Sequence, residues 1–285
     1  MRRARQARRV RSVDGADQDV RALRERRAYV RPKARVVAVG GADAERWLQD
    51  LVTAGVAGLP SGGSVRSLIL SPTGRIRADV HVVRTADGFL IVQPLDQPEA
   101  VDAVLGPYVL SSTVEIAPAS TPPVLVPDDG GWHASLEPPT GARQVDDAAA
   151  ERWRIESGVP AYPVDLDGES LPAEAGLDVP PVTDTAKGCF LGQESVARVR
   201  NLGHPTRVVV ALLSEASTAP GDPVVTGEGV VGAVTSAADG AGGRTAVIAR
   251  VRWDARDAEL RTASGAVLRR RGPDTTGPPG FQDFT

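Results

Sequence analysis

KGCFLGQE, residues 187–194, is the stretch from which the fold of this chain is best inferred. It contains the only cysteine in 285 residues, and Lys187 is one of two lysines in a chain that is otherwise rich in arginine. A thiol beside a cation and just before a helix has the surroundings of a reactive cysteine. Free cysteine is also among the most buried residue types, and a buried Cys189 is inert. The segment alone leaves both interpretations open.

The polar residues after Cys189 also have two interpretations. We predict a helix over Gly192–Arg200, which places Gln193 and Glu194 in its first turn. In that position they can bind a heteroaromatic ligand through hydrogen bonds. They can equally be ordinary first-turn residues, since acids suit the positive end of the helix dipole.

Three further charged residues are candidates on their position. Arg154 and Glu156 lie near the end of a predicted helix over Asp147–Ser157. Arg75 lies in the turn of a predicted β-hairpin, where an arginine can hold a carboxylate through two hydrogen bonds. All three can also be solvent-exposed charges without a ligand, and the local pattern does not decide.

Composition limits the function classes. Hydrophobic residues make up 41% and charged residues 24%, which is typical of a soluble protein. One cysteine excludes an internal disulfide and a cysteine-rich metal site, and three histidines do not suggest a zinc site. The sequence lacks an apolar run of roughly 20 residues, a secretory segment, and the motifs for phosphate loops, dinucleotides or serine hydrolases. We therefore predict a cytoplasmic protein without membrane association or stably bound metal.

The N-terminal segment is basic, with 13 basic and four acidic residues in residues 1–35. Such an arm can contact nucleic acid or an acidic partner, or resemble an organelle transit peptide, but it lacks interleaved aromatic residues and a fold around it. We therefore predict that residues 1–30 form a disordered arm and do not expect a nucleic-acid partner. The turn-forming tail over residues 272–285 is predicted to be disordered as well.

The hydrophobic pattern predicts an α+β protein. Helical and strand patterns are mixed over residues 31–205, for example in the strand Ala34–Val39 and the following helix Ala42–Thr53. Proline is frequent over residues 117–141, where only short strands are expected. Short β-type runs at even spacing over residues 206–271 indicate a small antiparallel barrel or sandwich.

Taken together, these segments resemble one family. KGCFLGQE is similar to the K-G-C-[YF]-x-G-Q-E signature of the YgfZ family, which comprises folate-binding proteins related to the glycine-cleavage T-protein and associated with iron–sulfur cluster assembly or repair. Further similarities follow in the family's order at Gly41–Gln49, Pro72–Ile76 and Arg154–Pro160. The resemblance implies a T-protein-like folate-binding domain over residues 31–205, with a shortened second lobe over 117–160, and a C-terminal β-barrel over 206–271.

The resemblance also implies roles for individual residues. Cys189 would be the functional thiol, with Lys187 beside it. The tetrahydrofolate cavity would be lined or approached by Arg75, Asp79, Arg154, Glu156, Gln193 and Glu194. A carboxylate can pair with the amidine-like edge of a pterin, and an arginine suits the glutamyl carboxylate of folate.

One departure bears on the chemistry. T-proteins carry two adjacent aspartates in this hairpin, and the corresponding residues here are Ala78 and Asp79. If the first position is the catalytic one, efficient aminomethyl transfer is not expected. The leading hypothesis is a tetrahydrofolate-binding accessory protein whose partners are folate and iron–sulfur client or assembly proteins. The alternatives are a folate-dependent one-carbon (aminomethyl) transferase and a binding module that takes no folate.

Overall fold

The computed structural model describes residues 15–110, 112–120, 123–129, 131–240 and 243–271. The predicted disorder of residues 1–14 and 272–285 lies outside these ranges. The α-helices are α1 (15–24), α2 (Ala44–Leu51), α3 (Val101–Leu105), α4 (Asp147–Glu156) and α5 (Gln193–Leu202). The strands of the N-terminal part are β1 (Ala28–Tyr29), β2 (Ala34–Gly40), β3 (Ser64–Leu70), β4 (Ile76–Thr85), β5 (Gly88–Pro94), β6 (Glu115–Pro118), β7 (Val124–Asp128), β8 (Gly131–Ser135) and β9 (Arg143–Gln144). The C-terminal strands are β10 (Arg207–Ser214), β11 (Pro223–Thr226), β12 (Gly229–Asp239), β13 (Thr245–Arg252), β14 (Leu260–Thr262) and β15 (Val267–Arg270).

A five-stranded antiparallel sheet, in the order β3-β4-β5-β2-β6, organises the N-terminal part. Alternation along β4 gives its two faces different neighbours. Ala78 and Val80 pack with α2 and α3 in one core, to which α2 contributes Trp47, Leu48 and Leu51. The helix buries these residues because they recur at helical spacing. The opposite face of the sheet, with Asp79 and His81, is covered by the hairpin β7–β8 and the loop after α4.

The N-terminal segment is ordered from residue 15, so the prediction of a disordered arm is wrong for residues 15–30. Val20 and Leu23 lie one helical turn apart in α1 and are buried against Trp153 of α4. After α1, the two-residue strand β1 pairs in parallel with β9. The many arginines of this segment mask its apolar spacing in the sequence pattern.

The C-terminal part is a closed antiparallel barrel in the strand order β10-β13-β12-β11-β14-β15. Its interior is filled by alternate residues of these strands, such as Val208, Val210, Val251 and Leu260. The α+β class with a small C-terminal barrel is therefore confirmed, while the predicted domain boundaries stay predictions. In the described ranges, no helix is long and apolar enough to cross a membrane.

Candidate functional site

The segment Lys187–Glu194, called here the thiol loop, is fixed between α2 and α5. The Leu191 amide donates to the Asp50 carbonyl at 3.0 Å, and the Gln49 side-chain amide donates to the Lys187 carbonyl at 3.2 Å. Phe190 is buried in the core that also contains Leu70 and Ile155. Hydrogen bonds at Lys187 and Leu191 and the buried ring of Phe190 thus hold the loop on both sides of Cys189.

Two glycines let the thiol loop pack closely on the turn of the β3–β4 hairpin. Gly192 has φ = 80° and Gly74 has φ = 78°, a region that side chains disfavour. A Cβ atom on Gly192 would lie 2.6 Å from the Ser71 carbonyl oxygen, and one on Gly74 would lie 2.5 Å from the Ser195 Cβ. This close approach explains why both motifs, KGCFLGQE and the turn before Arg75, contain glycine.

Cys189 is exposed at the tip of the thiol loop. The interpretation of this residue as a buried, inert thiol is therefore wrong. The physical reason is that the next residue, Phe190, fills the apolar core and leaves the smaller side chain in solvent. An exposed thiol is accessible to reagents and to partner proteins.

The ammonium group of Lys187 is held within the protein. Its Nζ atom donates to the Gln49 carbonyl oxygen and lies 5.2 Å from the centre of the Phe190 ring. Burial lowers the pKa of Lys187 to about 8, although the charges of Asp50 and Asp184 act in the opposite direction. These contacts are with α2 and the aromatic ring, and none of them is with the Cys189 thiol.

The two residues at the start of α5 differ in whether their side chains are available to a ligand. The Gln193 side-chain oxygen accepts from the Phe190 amide at 3.0 Å, so this residue caps the thiol loop. Glu194 is exposed in the first helical turn, as an acid at that end of a helix prefers to be. The geometry thus gives Gln193 a local structural role and leaves the Glu194 carboxylate open to solvent.

Asp79 is the acid of β4 on the sheet face that is covered by the hairpin β7–β8 and the loop after α4. Arg66 of β3 holds its carboxylate with two hydrogen bonds of 3.0 and 2.5 Å. Ala78 points to the opposite face, into the core under α2 and α3. An acid at position 78 would point into this apolar core. Alanine at position 78 therefore leaves the charged groups on the Asp79 face unchanged.

Arg154 is only 6% exposed and joins α4 to the barrel. It donates to Asp165 at 2.7 Å and to the Ser236 hydroxyl of β12 at 2.8 Å. Asp165 is also buried, and it accepts from Thr235 and Ser236 through its other oxygen. Because all of these groups are mutually satisfied, Arg154 acts as a structural connection and offers no free donor to a ligand.

Arg154 and Asp79 belong to one polar layer between the sheet and the rest of the molecule. Arg154 donates to the Val159 carbonyl at 2.6 Å, and Arg66, the partner of Asp79, donates to the next carbonyl, Pro160, at 2.9 Å. Two arginines from different elements thus hold consecutive peptide groups of the loop after α4. These hydrogen bonds fix the backbone at the end of the segment Arg154–Pro160.

Glu156 is 7% exposed and is paired with two arginines. Arg152, one turn earlier in α4, donates to Oε1 at 2.7 Å, and Arg24 of α1 donates to Oε2. Arg24 is about half exposed, whereas Glu156 and Arg152 are mostly buried. The carboxylate has the chemistry expected of a pterin-binding group, but both of its oxygens are engaged by arginine.

Arg75 lies beside the hairpin turn, where it donates to the Glu169 carbonyl oxygen. A pocket of about 340 Å³ opens there, lined also by Arg77, Glu99 and Tyr162. Neither Glu156 nor Cys189 lines this pocket. The structure therefore places Arg75 near the thiol loop through the turn, and separates it from the pair formed by Glu156 and Arg24.

His81 lies on the same face of β4 as Asp79 and is buried. Among the described residues, neither its Nδ1 atom nor the Nδ1 atom of His133, on β8, has a hydrogen-bond partner, although Asp128 lies 3.7 Å from His133. Burial lowers the pKa of His81 to about 4, and the charges of Arg66 and His133 act in the same direction, whereas Asp79 acts against them. Across the described ranges, no group of three or more His, Cys, Asp or Glu side chains is placed to hold a metal ion.

Comparison with known proteins gives relatives for this arrangement. The iron–sulfur cluster assembly factor IBA57 homolog of Pyricularia oryzae, a mitochondrial protein, is 28% identical over 243 residues, covering 69% of this chain and 61% of the relative. The tRNA-modifying protein YgfZ of Escherichia coli O157:H7 is 25% identical over 228 residues, covering 64% of this chain and 70% of the relative. The chain is a homologue of the YgfZ and IBA57 proteins. The resemblance inferred from KGCFLGQE is thereby confirmed.

The fold of this YgfZ homologue has a match among solved structures. The crystal structure of the glycine cleavage system aminomethyltransferase T from Bartonella henselae superposes with a TM-score of 0.71, covering 88% of this chain and 87% of the other. The two chains are 17% identical, so the likeness concerns the fold alone. No profile of a known protein family matches the chain.

Sequence reasoning missed several residues of the candidate site in this YgfZ homologue. Arg24 lies in the segment that was expected to be disordered, and no local pattern linked it to Glu156. Asp165 lies in an irregular loop, where its burial has no sequence signal. The position of Arg66 beside Asp79 could have been inferred from the hairpin. Residues 66 and 81 are directly opposite in β3 and β4, so Arg66 lies on the same face as Asp79.

Proposed function

We propose that this protein is a tetrahydrofolate-binding accessory factor for the assembly or repair of iron–sulfur enzymes, with Cys189 as its functional thiol. The observation that carries the proposal is an exposed cysteine on a loop held in a T-protein-like fold, in a homologue of proteins named for iron–sulfur cluster assembly and tRNA modification. The chain spans 61% of the length of the first of these relatives. The activity described by the relatives' names is therefore a proposal for this chain.

Glu156 is the residue proposed to hold the pterin. It is the buried carboxylate at the end of α4, and a pterin presents paired donors that match a carboxylate. A planar guanidinium has the same donor pattern, and Arg24 supplies one to Oε2. Folate binding in this mode therefore replaces the contact of Arg24, while Arg152 keeps its hydrogen bond to Oε1. Arg24 is the partner that can leave, since its side chain, on α1, is about half exposed.

Cys189 is the residue proposed to act on the client proteins. The thiol loop is anchored by Leu191 and Phe190, so the exposed thiol is presented from a fixed position. The ring of Phe190 and the carbonyl of Gln49 hold Lys187, which leaves a cationic group two residues from the thiol. This arrangement supports contact with another protein more than catalysis in a closed pocket, since the loop tip is exposed.

The proposal is tested in a host that lacks the gene. Loss of the protein should lower the activity of iron–sulfur enzymes, most of all under oxidative stress, and the wild-type gene should restore it. A Cys189→Ser variant, produced at the same level, should not restore it. A Ser195→Ala variant, which removes a hydroxyl from the neighbouring start of α5, is the matched control. Full restoration by Cys189→Ser would overturn the role of the thiol.

A second candidate function, folate-dependent one-carbon transfer, is favoured by the orientation of Asp79. The Asp79 carboxylate lies on the sheet face that is covered by β7–β8 and the loop after α4, at the position that resembles an acid of the T-protein hairpin. Arg66 already donates a hydrogen bond to each oxygen of this carboxylate, which counts against the transferase. Incubation of the purified protein with tetrahydrofolate and candidate amine or methyl donors decides this point. Failure to form methylene- or methyl-folate would exclude the transferase.

A further inference from the structure

A groove of about 580 Å³ lies between the barrel and residues 163–167, away from the thiol loop and from Glu156. Three arginines reach it from the barrel, namely Arg207 at the start of β10 and Arg250 and Arg252 at the end of β13. The groove has a volume typical of small-molecule sites, which run from about 300 to 1,000 Å³. It has no part in the proposed folate site.

The three arginines lie on one face of the barrel wall. Arg207 is directly opposite Arg252 in the antiparallel ladder, and Val209 is opposite Arg250. The intervening residues Val208 and Val251 point into the barrel core, so the arginine side chains point outward. Two cations directly opposite each other on neighbouring strands destabilise a sheet, and an anion between them removes that cost.

The arginines differ in how far the protein itself neutralises them. Arg250 is mostly buried and is held by Asp167 at 2.6 Å and by Glu174 at 2.7 Å. Arg252 has one exposed pair with Asp254 at 3.0 Å. Arg207 is exposed, and no acid among the described residues forms an ion pair with it. The positive charge that remains is therefore concentrated at the Arg207–Arg252 end of the groove.

The other walls of the groove are mixed: Asp165 and Asp167 are engaged by Arg154 and Arg250, and two valines are exposed beside them. Val230 is 66% exposed and Val164 is 47% exposed, and both line the groove. The arginine end is held in place because the Trp253 amide donates to the Thr206 carbonyl at 3.0 Å, which ties the end of β13 to the start of β10. A fixed cationic end beside exposed valines matches a ligand with an anionic group and an apolar body.

We propose that this groove binds a small molecule whose phosphate or carboxylate group lies between Arg207 and Arg252 and whose apolar part contacts Val164 and Val230. Guanidinium groups bind both oxyanions through paired hydrogen bonds, which is the chemistry that the two arginines share. The inference is independent of the folate proposal, because neither Glu156 nor any residue of the thiol loop lines the groove.

Calorimetric titration of the full chain at low ionic strength tests the inference with three probes: phenyl phosphate, benzoate and the neutral benzyl alcohol. We expect saturable binding of at least one anion, with the tighter anion identifying the headgroup, and no saturation by benzyl alcohol. Arg207→Gln should weaken binding of that anion at least about fivefold. Arg244→Gln, which removes an exposed arginine at the opposite end of β13, is the matched control.

Thermal unfolding of both variants establishes that they are folded before binding is compared. The inference is overturned if neither anion saturates the wild-type chain, if benzyl alcohol binds as tightly as the anions, or if Arg244→Gln weakens binding as much as Arg207→Gln. A Val230→Asp variant gives a second check, since an acid on the apolar wall should weaken binding of the anion while Arg207 and Arg252 are unchanged.

Discussion

Arg24 and Glu156 are 132 residues apart in the sequence, and their side chains form an ion pair that joins the first described helix to α4. Glu156 is also held by Arg152, which in turn pairs with Asp17 of α1 at 2.6 Å. The N-terminal helix therefore closes over the carboxylate that is proposed to bind folate. The proposed function requires that this contact open when the ligand binds.

The first prediction concerns this contact. Arg24→Ala should raise the affinity of the protein for folinic acid by roughly fivefold or more, because the ligand no longer has to displace a guanidinium from Glu156. The measurement is a fluorescence or calorimetric titration of the purified full chain. Arg21→Ala is the control, since Arg21 is an exposed residue of the same helix that pairs with Glu25. Weaker binding by Arg24→Ala than by the control would contradict the proposed displacement.

The second prediction follows from the exposure of Cys189. In the native protein the thiol should react fully with Ellman's reagent, at one equivalent per chain, without denaturant. Cys189→Ser should change the free energy of unfolding by less than about 0.5 kcal/mol, as surface substitutions usually do. Reaction only after addition of denaturant would show that the thiol is buried in solution.

The parts of the site that could be predicted from the sequence are those set by local geometry. Gly74 and Gly192 occupy conformations that disfavour side chains, and each lies in a short motif with a recognisable composition. The strand pattern of the barrel was readable because alternate residues such as Val208 and Val210 face its interior. Each of these features depends on a few neighbouring residues.

The features that could not be predicted depend on partners far away in the chain. Glu156 was expected to line a cavity, and its neutralisation by Arg24 depends on where α1 packs. Arg154 was expected to line the same cavity, and its partners Asp165 and Ser236 come from an irregular loop and from the barrel. A charge pattern shows which residues can pair, but only the tertiary structure selects the pairs.

The third prediction concerns the buried pair of Arg154 and Asp165. Asp165→Asn should lower the free energy of unfolding by about 3 to 5 kcal/mol, because Arg154 loses its buried carboxylate partner and keeps only the exposed Glu151. Glu151→Gln removes the exposed partner of the same arginine and should cost less than about 1 kcal/mol. Urea unfolding of the two variants and the wild type is the measurement. Equal effects of the two substitutions would contradict the assignment of Arg154 as a buried structural link.

The fourth prediction concerns the pH dependence of stability. The pKa of His81 is lowered from 6.5 to about 4 in the folded protein, so the unfolded chain binds the proton more readily between these values. Stability from this residue is complete above pH 6.5 and is lost as the pH falls toward 4, by up to roughly 3 kcal/mol. Burial is the largest cause of this lowered pKa; among the charged or titratable neighbours, Arg66 and His133 lower it further and Asp79 raises it.

Urea midpoints measured between pH 4.5 and 7 test this dependence. His81→Phe should flatten the curve relative to the wild type. A wild-type curve that does not fall over this range, or a His81→Phe curve of the same slope, would show that His81 does not remain neutral in the folded protein.

The central claim, that this homologue of YgfZ and IBA57 holds tetrahydrofolate through Glu156, is tested most directly by titration of the full chain with folinic acid. The wild-type protein is predicted to bind one equivalent with a saturable curve. Glu156→Gln should abolish saturation, and Glu151→Gln, on the same helix, should retain it, with both variants shown to be folded by thermal unfolding. Absence of saturable binding by the wild type, or undiminished binding by Glu156→Gln, would contradict the claim.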